Sequence, residues 1–297
     1  RAYAAAFRNA GNPGAAEKLS GARAPEAPGA AKTVVGEKYE IISQIGEGGM
    51  GVVFKAYDRT LDRPVALKRL RSEIQESPEY RDNMLAEALT ISQLSHPFIV
   101  AIHDIVTEGR DLYLVLEFVD GMPLSTFIKR KVRLTLDESR RVLAYVCQAV
   151  EFAHGKKIIH RDLKPGNIMV EHSGFVKVMD FGLARIAKDA ASKTSSPDCS
   201  GTPVYMAPEQ HLGKTGPASD IFALGVCLYE MLSGERPFKG PDYLAQKERR
   251  LYVPPTQIAR GLSEEVDRFM AAALAPDPKT RIPDARTFLE MLSAIKV

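Results

Sequence analysis

A change of texture near Gly121 constrains this chain most. Before it, short β-branched and aromatic runs alternate with glycines and turn residues. Tyr39 to Ile45, Val52 to Tyr57, Arg63 to Arg69 and Leu112 to Phe118 read as strands, and Arg81 to Ser95 reads as one helix among them. After it helices dominate, at about 124–131, 137–154, 219–233, 263–275 and 284–295, with one short hairpin near 167–180. Strands first and helices later is the order of an α+β chain with two lobes, not of alternating βαβ units.

The first 36 residues differ from both parts. They hold twelve alanines, five glycines and three prolines, with few large apolar groups, and read as a tether or linker. The chain starts with Arg, which suggests a fragment or a processed product. Forty Lys+Arg against thirty-seven Asp+Glu give +3, too small an excess to suggest a nucleic-acid partner or a membrane surface. Cys147, Cys199 and Cys227 are widely spaced and outside any C-x-x-C, so neither a disulfide framework nor a zinc site is indicated. The most apolar run, Ile221 to Leu232, is interrupted by Gly225 and Glu230 and reads as a buried helix rather than a membrane span. The cationic clusters Lys129-Arg130-Lys131 and Lys247 to Arg250 read as solvated faces.

Gly46-Glu47-Gly48-Gly49-Met50-Gly51 contains G-x-G-x-x-G. A dinucleotide fold would require a helix directly after it and an acidic residue about twenty positions on. Here Val52-Val53-Phe54 continues as a strand and position 66 is Ala, so the glycines sit in a hairpin whose backbone can lie close over phosphates. Gly213-Lys214-Thr215 imitates the end of a P-loop, but the position of its first glycine is Pro208. On the third strand, alternation puts Ala66 and Lys68 on one face. In the helix that follows, Glu87 interrupts the stripe Met84, Ile91, Leu94. A carboxylate on a buried face needs a cation, and Lys68 is the natural candidate.

His160-Arg161-Asp162-Leu163-Lys164-Pro165-Gly166-Asn167 packs polar groups between two apolar segments. Closing a hairpin about Glu171-His172-Ser173-Gly174, with Val170 against Lys177, brings Asn167 opposite Asp180. An amide oxygen and a carboxylate so placed suit Mg²⁺. Asp162 stands just upstream, where it can accept a proton from a hydroxyl, and Lys164 can neutralise charge on a transferred group.

In this order the glycine loop, Val65 to Lys68, Glu87, His160 to Asn167, Asp180-Phe181-Gly182 and Ala207-Pro208-Glu209 resemble the eukaryotic-like serine/threonine protein kinases, with details most similar to the bacterial branch. The resemblance covers about Tyr39 to Leu292. It implies a tether over 1–36 and a kinase domain over 37–297, with an N-lobe at 37–116, a hinge at 117–121 and a C-lobe at 122–297.

It further implies ATP and Mg²⁺ as cofactors, with Mn²⁺ as a substitute. Asp162 would be the base, and Lys164 would neutralise charge on the transferred group. Lys68 would contact the α/β-phosphates and pair with Glu87, and Asn167 and Asp180 would hold the metal. ATP would lie under Gly46, Gly48 and Gly51, with Val53, Ala66 and Met169 about the ring, Leu116 behind it, and Glu117 and Val119 at the hinge. Ile91, Ile102, His160 and Phe181 would stack between the lobes, Asp220 would anchor the catalytic loop, and Glu209 would pair with Arg281.

Lys164 and Thr202 fit the serine/threonine pattern. Pro123 and Gly166 stand where arginine-directed members carry acidic residues. Arg161 and Arg185 would bind a phosphate placed by autophosphorylation at Thr194, Ser195 or Ser196. The implied partners are protein substrates and a second copy for trans-autophosphorylation, with no nucleic acid or membrane contact. The implied location is cytoplasmic, alone or as part of a longer membrane-anchored chain. A pseudokinase-like ATP-binding scaffold and a kinase acting on a small molecule are the alternatives.

Overall fold

The structure is a computed structural model that describes residues 33–48, 51–70, 78–182 and 203–296. Six antiparallel strands form the first sheet: β1 (Val34–Val35), β2 (Tyr39–Gly48), β3 (Gly51–Asp58), β4 (Arg63–Leu70), β5 (Ile102–Glu108) and β6 (Asp111–Glu117). Their spatial order is β1-β2-β3-β4-β6-β5. The two outer strands, β1 and β5, are absent from the sequence reading, and β1 falls inside the stretch read as a tether.

Strand alternation separates the two faces of this sheet. Phe54, Ala56, Val65, Leu67, Tyr113 and Val115 pack with Val35 and Tyr39 into a small core of their own. The opposite face carries Val53, Ala66, Lys68, Leu114 and Leu116, because Val53 pairs with Lys68, Ala66 with Leu116, and Lys68 with Leu114. Helix α1 (Pro78–Ser92) buries Met84, Ala88 and Ile91, and Leu94 follows in the turn beyond it.

The second part begins with β7 (Gly121–Pro123) and α2 (Leu124–Lys131). The long helix α3 (Leu136–Gly155) starts at a capping box. Glu138 N donates to Thr135 Oγ1 at 3.2 Å, and Thr135 N donates to Glu138 Oε2 at 2.9 Å. Helix α4 (Pro208–His211) is short. Helix α5 (Pro217–Ser233) has Pro in its first turn and stops at Gly234, whose φ of 76° is left-handed. Its residues from Ser219 to Tyr229 are all buried, as expected of a core helix. No helix among the described residues is long and apolar enough to cross a membrane. Helices α6 (Tyr243–Glu248), α7 (Pro255–Ile258), α8 (Glu264–Ala273) and α9 (Ala285–Ala294) complete this part.

A three-stranded sheet, β7-β8-β9, lies between the two parts, with β8 at Ile168–Glu171 and β9 at Val176–Val178. Its register corrects the sequence reading by one residue. Ile168 pairs with Val178, Met169 with Lys177 and Val170 with Val176, so Asn167 faces Met179 rather than Asp180. The physical reason is burial: this register sets buried apolar groups opposite one another, whereas the expected one set Val170 against a lysine. Val178 also bonds the segment before β5, through Val178 N to Phe98 O at 2.8 Å and Val100 N to Val178 O at 2.9 Å. That ladder fixes Asp180 in height relative to the first sheet.

Candidate active site

Asp220 organises the loop from His160 to Asn167. Its carboxylate is 1% exposed and accepts three hydrogen bonds: from His160 N at 2.8 Å, Arg161 N at 2.9 Å and His154 Nε2 at 2.7 Å. Arg161 sits at φ 72° and Asp180 at φ 63°, left-handed conformations that cost a non-glycine residue about 1–2 kcal/mol. The Asp220 bond to Arg161 N is one of the contacts that hold the loop in that shape. His160 is fully buried; its Nε2 lies 3.0 Å from Met179 O, and its Nδ1 accepts from Asp162 N at 3.3 Å. A donor at Nε2 and an acceptor at Nδ1 are one neutral tautomer. Its ring lies 4.6 Å from that of Phe181, so one side chain ties the 160–167 loop to the Asp180-Phe181-Gly182 turn.

The loop brings Asp162, Lys164 and Asn167 together. Asp162 Oδ2 lies 2.7 Å from Lys164 Nζ and accepts from Asn167 Nδ2 at 3.1 Å, while the same amide donates to Asp162 O at 2.8 Å. With both amide protons engaged there, Asn167 Oδ1 is the atom left to face a cation. The Asp180 carboxylate, one of whose oxygens accepts from Lys68, is the other candidate hard-oxygen donor. No cluster of three or more His, Cys, Asp or Glu occurs among the described residues. Two protein oxygens nevertheless suit Mg²⁺, which keeps several waters and borrows phosphate oxygens.

The expected pair of Lys68 with Glu87 is not what the structure shows. Lys68 Nζ donates to Asp180 Oδ1 at 2.7 Å, with side chains 7% and 13% exposed. Glu87 Oε1 instead lies 3.6 Å from Arg161 Nη1, a buried atom with no hydrogen-bond acceptor. The arrangement exchanges partners relative to the sequence reading. Gly182, at φ 66°, permits it, because a Cβ there would stand 2.8 Å from Glu87 Oε1.

The cleft face of the sheet carries Val53, Ala66 and Leu116 beside Lys68, and Met169 lies on β8 opposite Lys177. Glu117 ends β6 and pairs with Lys177 at 2.8 Å, a contact the sequence reading missed. Val119 follows in the link to β7. Among the glycines, Gly51 is required by packing, since a Cβ there would stand 1.9 Å from Arg69 O. Gly48 has no heavy atom within 4 Å of the corresponding point, and Gly46 meets only Val53 Cβ at 3.9 Å. Open space beside these two leaves room for a phosphate chain. Arg185, Thr194, Ser195, Ser196 and Thr202 lie outside the described residues.

A second ion pair locks the region behind the loop. Arg281, its side chain fully buried, meets Glu209 Oε1 at 2.9 Å and Oε2 at 3.1 Å, and donates to backbone oxygens of Ala218, Ala275 and Pro276. Burial pushes the Glu209 carboxyl up, and the Arg281 guanidinium overcomes that, leaving it below its ordinary value. One residue on, Gln210 accepts from Ala207 N at 2.9 Å and donates to Arg161 O at 3.1 Å.

The model of the family described as "Protein kinase domain" matches residues 39–292. The chain belongs to the protein kinase domain family. Among its relatives, the serine/threonine-protein kinase PknA of Mycobacterium tuberculosis is 39% identical over 87% of this chain and 61% of the relative. The serine/threonine-protein kinase PknB of Mycobacterium leprae is 38% identical over 84% of this chain and 41% of the relative. The kinase chain thus spans less than two thirds of the length of these curated relatives. Among solved structures, Rad53 in complex with AMP-PNP aligns at TM-score 0.72 and 29% identity, over 86% of this chain and 65% of that one. The PknI kinase domain of Mycobacterium tuberculosis aligns at TM-score 0.71 and 22% identity, over 89% and 98%, a likeness of fold. Each kinase motif of the sequence reading falls inside the matched region.

Proposed function

We propose that this chain transfers the γ-phosphoryl group of ATP to serine and threonine hydroxyls of proteins. The observation that carries the reading is the group of Asp162, Lys164 and Asn167 on one Asp220-anchored loop, facing a cleft that presents Lys68 and Asp180. In this reading Asp162 orients the acceptor hydroxyl and takes its proton. Lys164, 2.7 Å from that carboxylate, stabilises charge on the group in transfer. Lys68 holds the α/β-phosphates, and Asn167 and Asp180 hold Mg²⁺ or Mn²⁺, which supplies charge neutralisation at the β/γ oxygens. Gly46, Gly48 and Gly51 cover the phosphates, Val53, Ala66, Met169 and Leu116 enclose the adenine, and Glu117 and Val119 form the hinge. A cytoplasmic location fits such chemistry.

The Glu87–Arg161 contact supports autophosphorylation as a switch. A phosphate carries about −1.5 to −2 charges and three strong acceptors, so it would displace a single carboxylate from Arg161. Glu87 would then be released toward Lys68. A second copy of the chain would supply the acceptor loop. After incubation with Mg-ATP, mass spectrometry should find phosphate on serine or threonine between 183 and 202, with Thr194 to Ser196 first. An unmodified segment in a chain that phosphorylates other proteins would count against the switch.

A further inference from the structure

The cationic run that closes α6 is not solvated at its first member, which corrects the sequence reading. Lys247 is 0% exposed. Its Nζ donates to the carbonyl oxygen of Pro203 and lies 3.1 Å from His211 Nε2. Those two partners stand at the two ends of the 203–211 segment, so one side chain of α6 grips both ends of a stretch that includes α4. Three rings close the remaining sides, with centroids at 5.9 Å for Phe222, 5.7 Å for Phe238 and 5.6 Å for Tyr243.

The charges around this cage do not balance an ammonium. Among the described residues no carboxylate touches Lys247. Glu209 of α4 acts on it only at longer range, because Arg281 holds that carboxylate at 2.9 and 3.1 Å and Ser219 Oγ donates to it at 2.9 Å. Arg281 also lies 5.1 Å over the Phe222 ring that faces Lys247. A charged Lys247 therefore sets two cations against one carboxylate in a place without water. The ring faces return part of that cost, but a buried charge without a contacting anion still favours its neutral form. The neutral amine keeps its N–H bond to Pro203 O and gains a lone pair that accepts from the His211 tautomer protonated at Nε2. Burial accordingly pulls the Lys247 amine down to about 7, with the Glu209 carboxylate opposing.

We propose that Lys247 is a proton-sensitive latch: α6 holds the 203–211 segment closed while the amine is neutral, and the segment opens more readily once the amine takes up a proton. This goes beyond the kinase reading and does not depend on it. What the latch holds leads to the candidate active site, because Gln210 of the same segment accepts from Ala207 N and donates to Arg161 O, one residue from Asp162.

The sign of the pH dependence follows from the two states. In the open segment Lys247 meets water and regains an ordinary lysine value of about 10.4. Between about pH 7 and that value, opening takes up one proton, so the opening equilibrium falls about tenfold for each pH unit gained. Below about pH 7 the amine is charged in both states and the dependence vanishes. The other groups facing the cage are His211 and Glu209 of α4, Tyr243 of α6 itself and Arg281. In their ordinary ranges histidine and carboxylate titrate below this window, and tyrosine and arginine titrate at or above its upper end.

The test is amide hydrogen exchange over residues 204–211 between about pH 7 and 9, with rates corrected for their intrinsic pH dependence. Wild type is compared with Lys247→Met, which fills the ring cage without a titratable group. Wild-type opening constants should fall about a hundredfold across this range, while those of the variant stay within about threefold. A lysine that serves only as packing would give both proteins the same profile. A flat wild-type profile, or a variant that follows the wild-type slope, would overturn the proposal. Should the variant fail to fold, carbon-13 NMR of the lysine Cε atoms in wild type decides. One resonance titrating near 7 would support the latch, and no lysine titrating below about 9 would overturn it.

Discussion

Asp162→Asn is expected to slow phosphoryl transfer to casein by at least about 10²–10⁴-fold, the range for loss of a general base. The substitution keeps the size of the side chain. Its remaining oxygen can still accept from Lys164 or from Asn167, which lie 2.7 Å and 3.1 Å from Asp162 Oδ2. The backbone bonds from His160 and Arg161 to Asp220 do not involve it. The loop should therefore keep its shape while losing the group that takes the proton. Initial rates at saturating Mg-ATP measure the effect, with ATP affinity followed separately by fluorescence titration. A drop smaller than about tenfold would mean that Asp162 only orients the hydroxyl.

The second large effect is on stability. Arg281→Met should destabilise the fold by about 3–5 kcal/mol, since it leaves the Glu209 carboxylate without its buried cation and takes one donor from each of three backbone oxygens. Urea unfolding measures it. The double variant Glu209→Gln with Arg281→Met should recover part of the loss, because the uncompensated charge is gone. The pair also contributes a pH dependence. The Glu209 carboxyl is depressed in the folded state, so its contribution is present above the unfolded value of about 4.3 and fades as pH falls through the folded one. A loss below about 1 kcal/mol, typical of an exposed pair, would contradict the account.

What the sequence made legible follows from how locally each feature is determined. Helix α3 carries its own capping box, and α5 is apolar enough to be read as buried from composition alone. The residues that gather around Asp162 lie within one loop, so their proximity is fixed by a few backbone angles. Features decided by distant packing were less legible. Edge strand β5 mixes His103, Asp104 and Thr107 with its apolar residues, which hides it in a hydropathy pattern. The β8–β9 register depends on which neighbours bury Val170 and Val176, and closing the hairpin about its turn alone put it one residue out.

Charge partners were the hardest of all. The reading paired Lys68 with Glu87 across two elements, yet Asp180 and Arg161 compete for the same groups, and only three-dimensional distances decide among them. Lys247 looked like the first residue of a solvated basic run. The rings that enclose it, Phe222 and Phe238, lie on and just after α5, and nothing near Lys247 in the chain announces them. Its one local signal is Tyr243, four positions earlier on the same helix face.

The central claim is tested most directly by incubating the chain with casein and Mg-ATP labelled in the γ-phosphoryl group, then hydrolysing the protein and separating the phosphoamino acids. The account predicts label on phosphoserine and phosphothreonine and none on phosphotyrosine. A chain that binds ATP but transfers no label to protein, with either Mg²⁺ or Mn²⁺, would contradict it and leave an ATP-binding scaffold in its place.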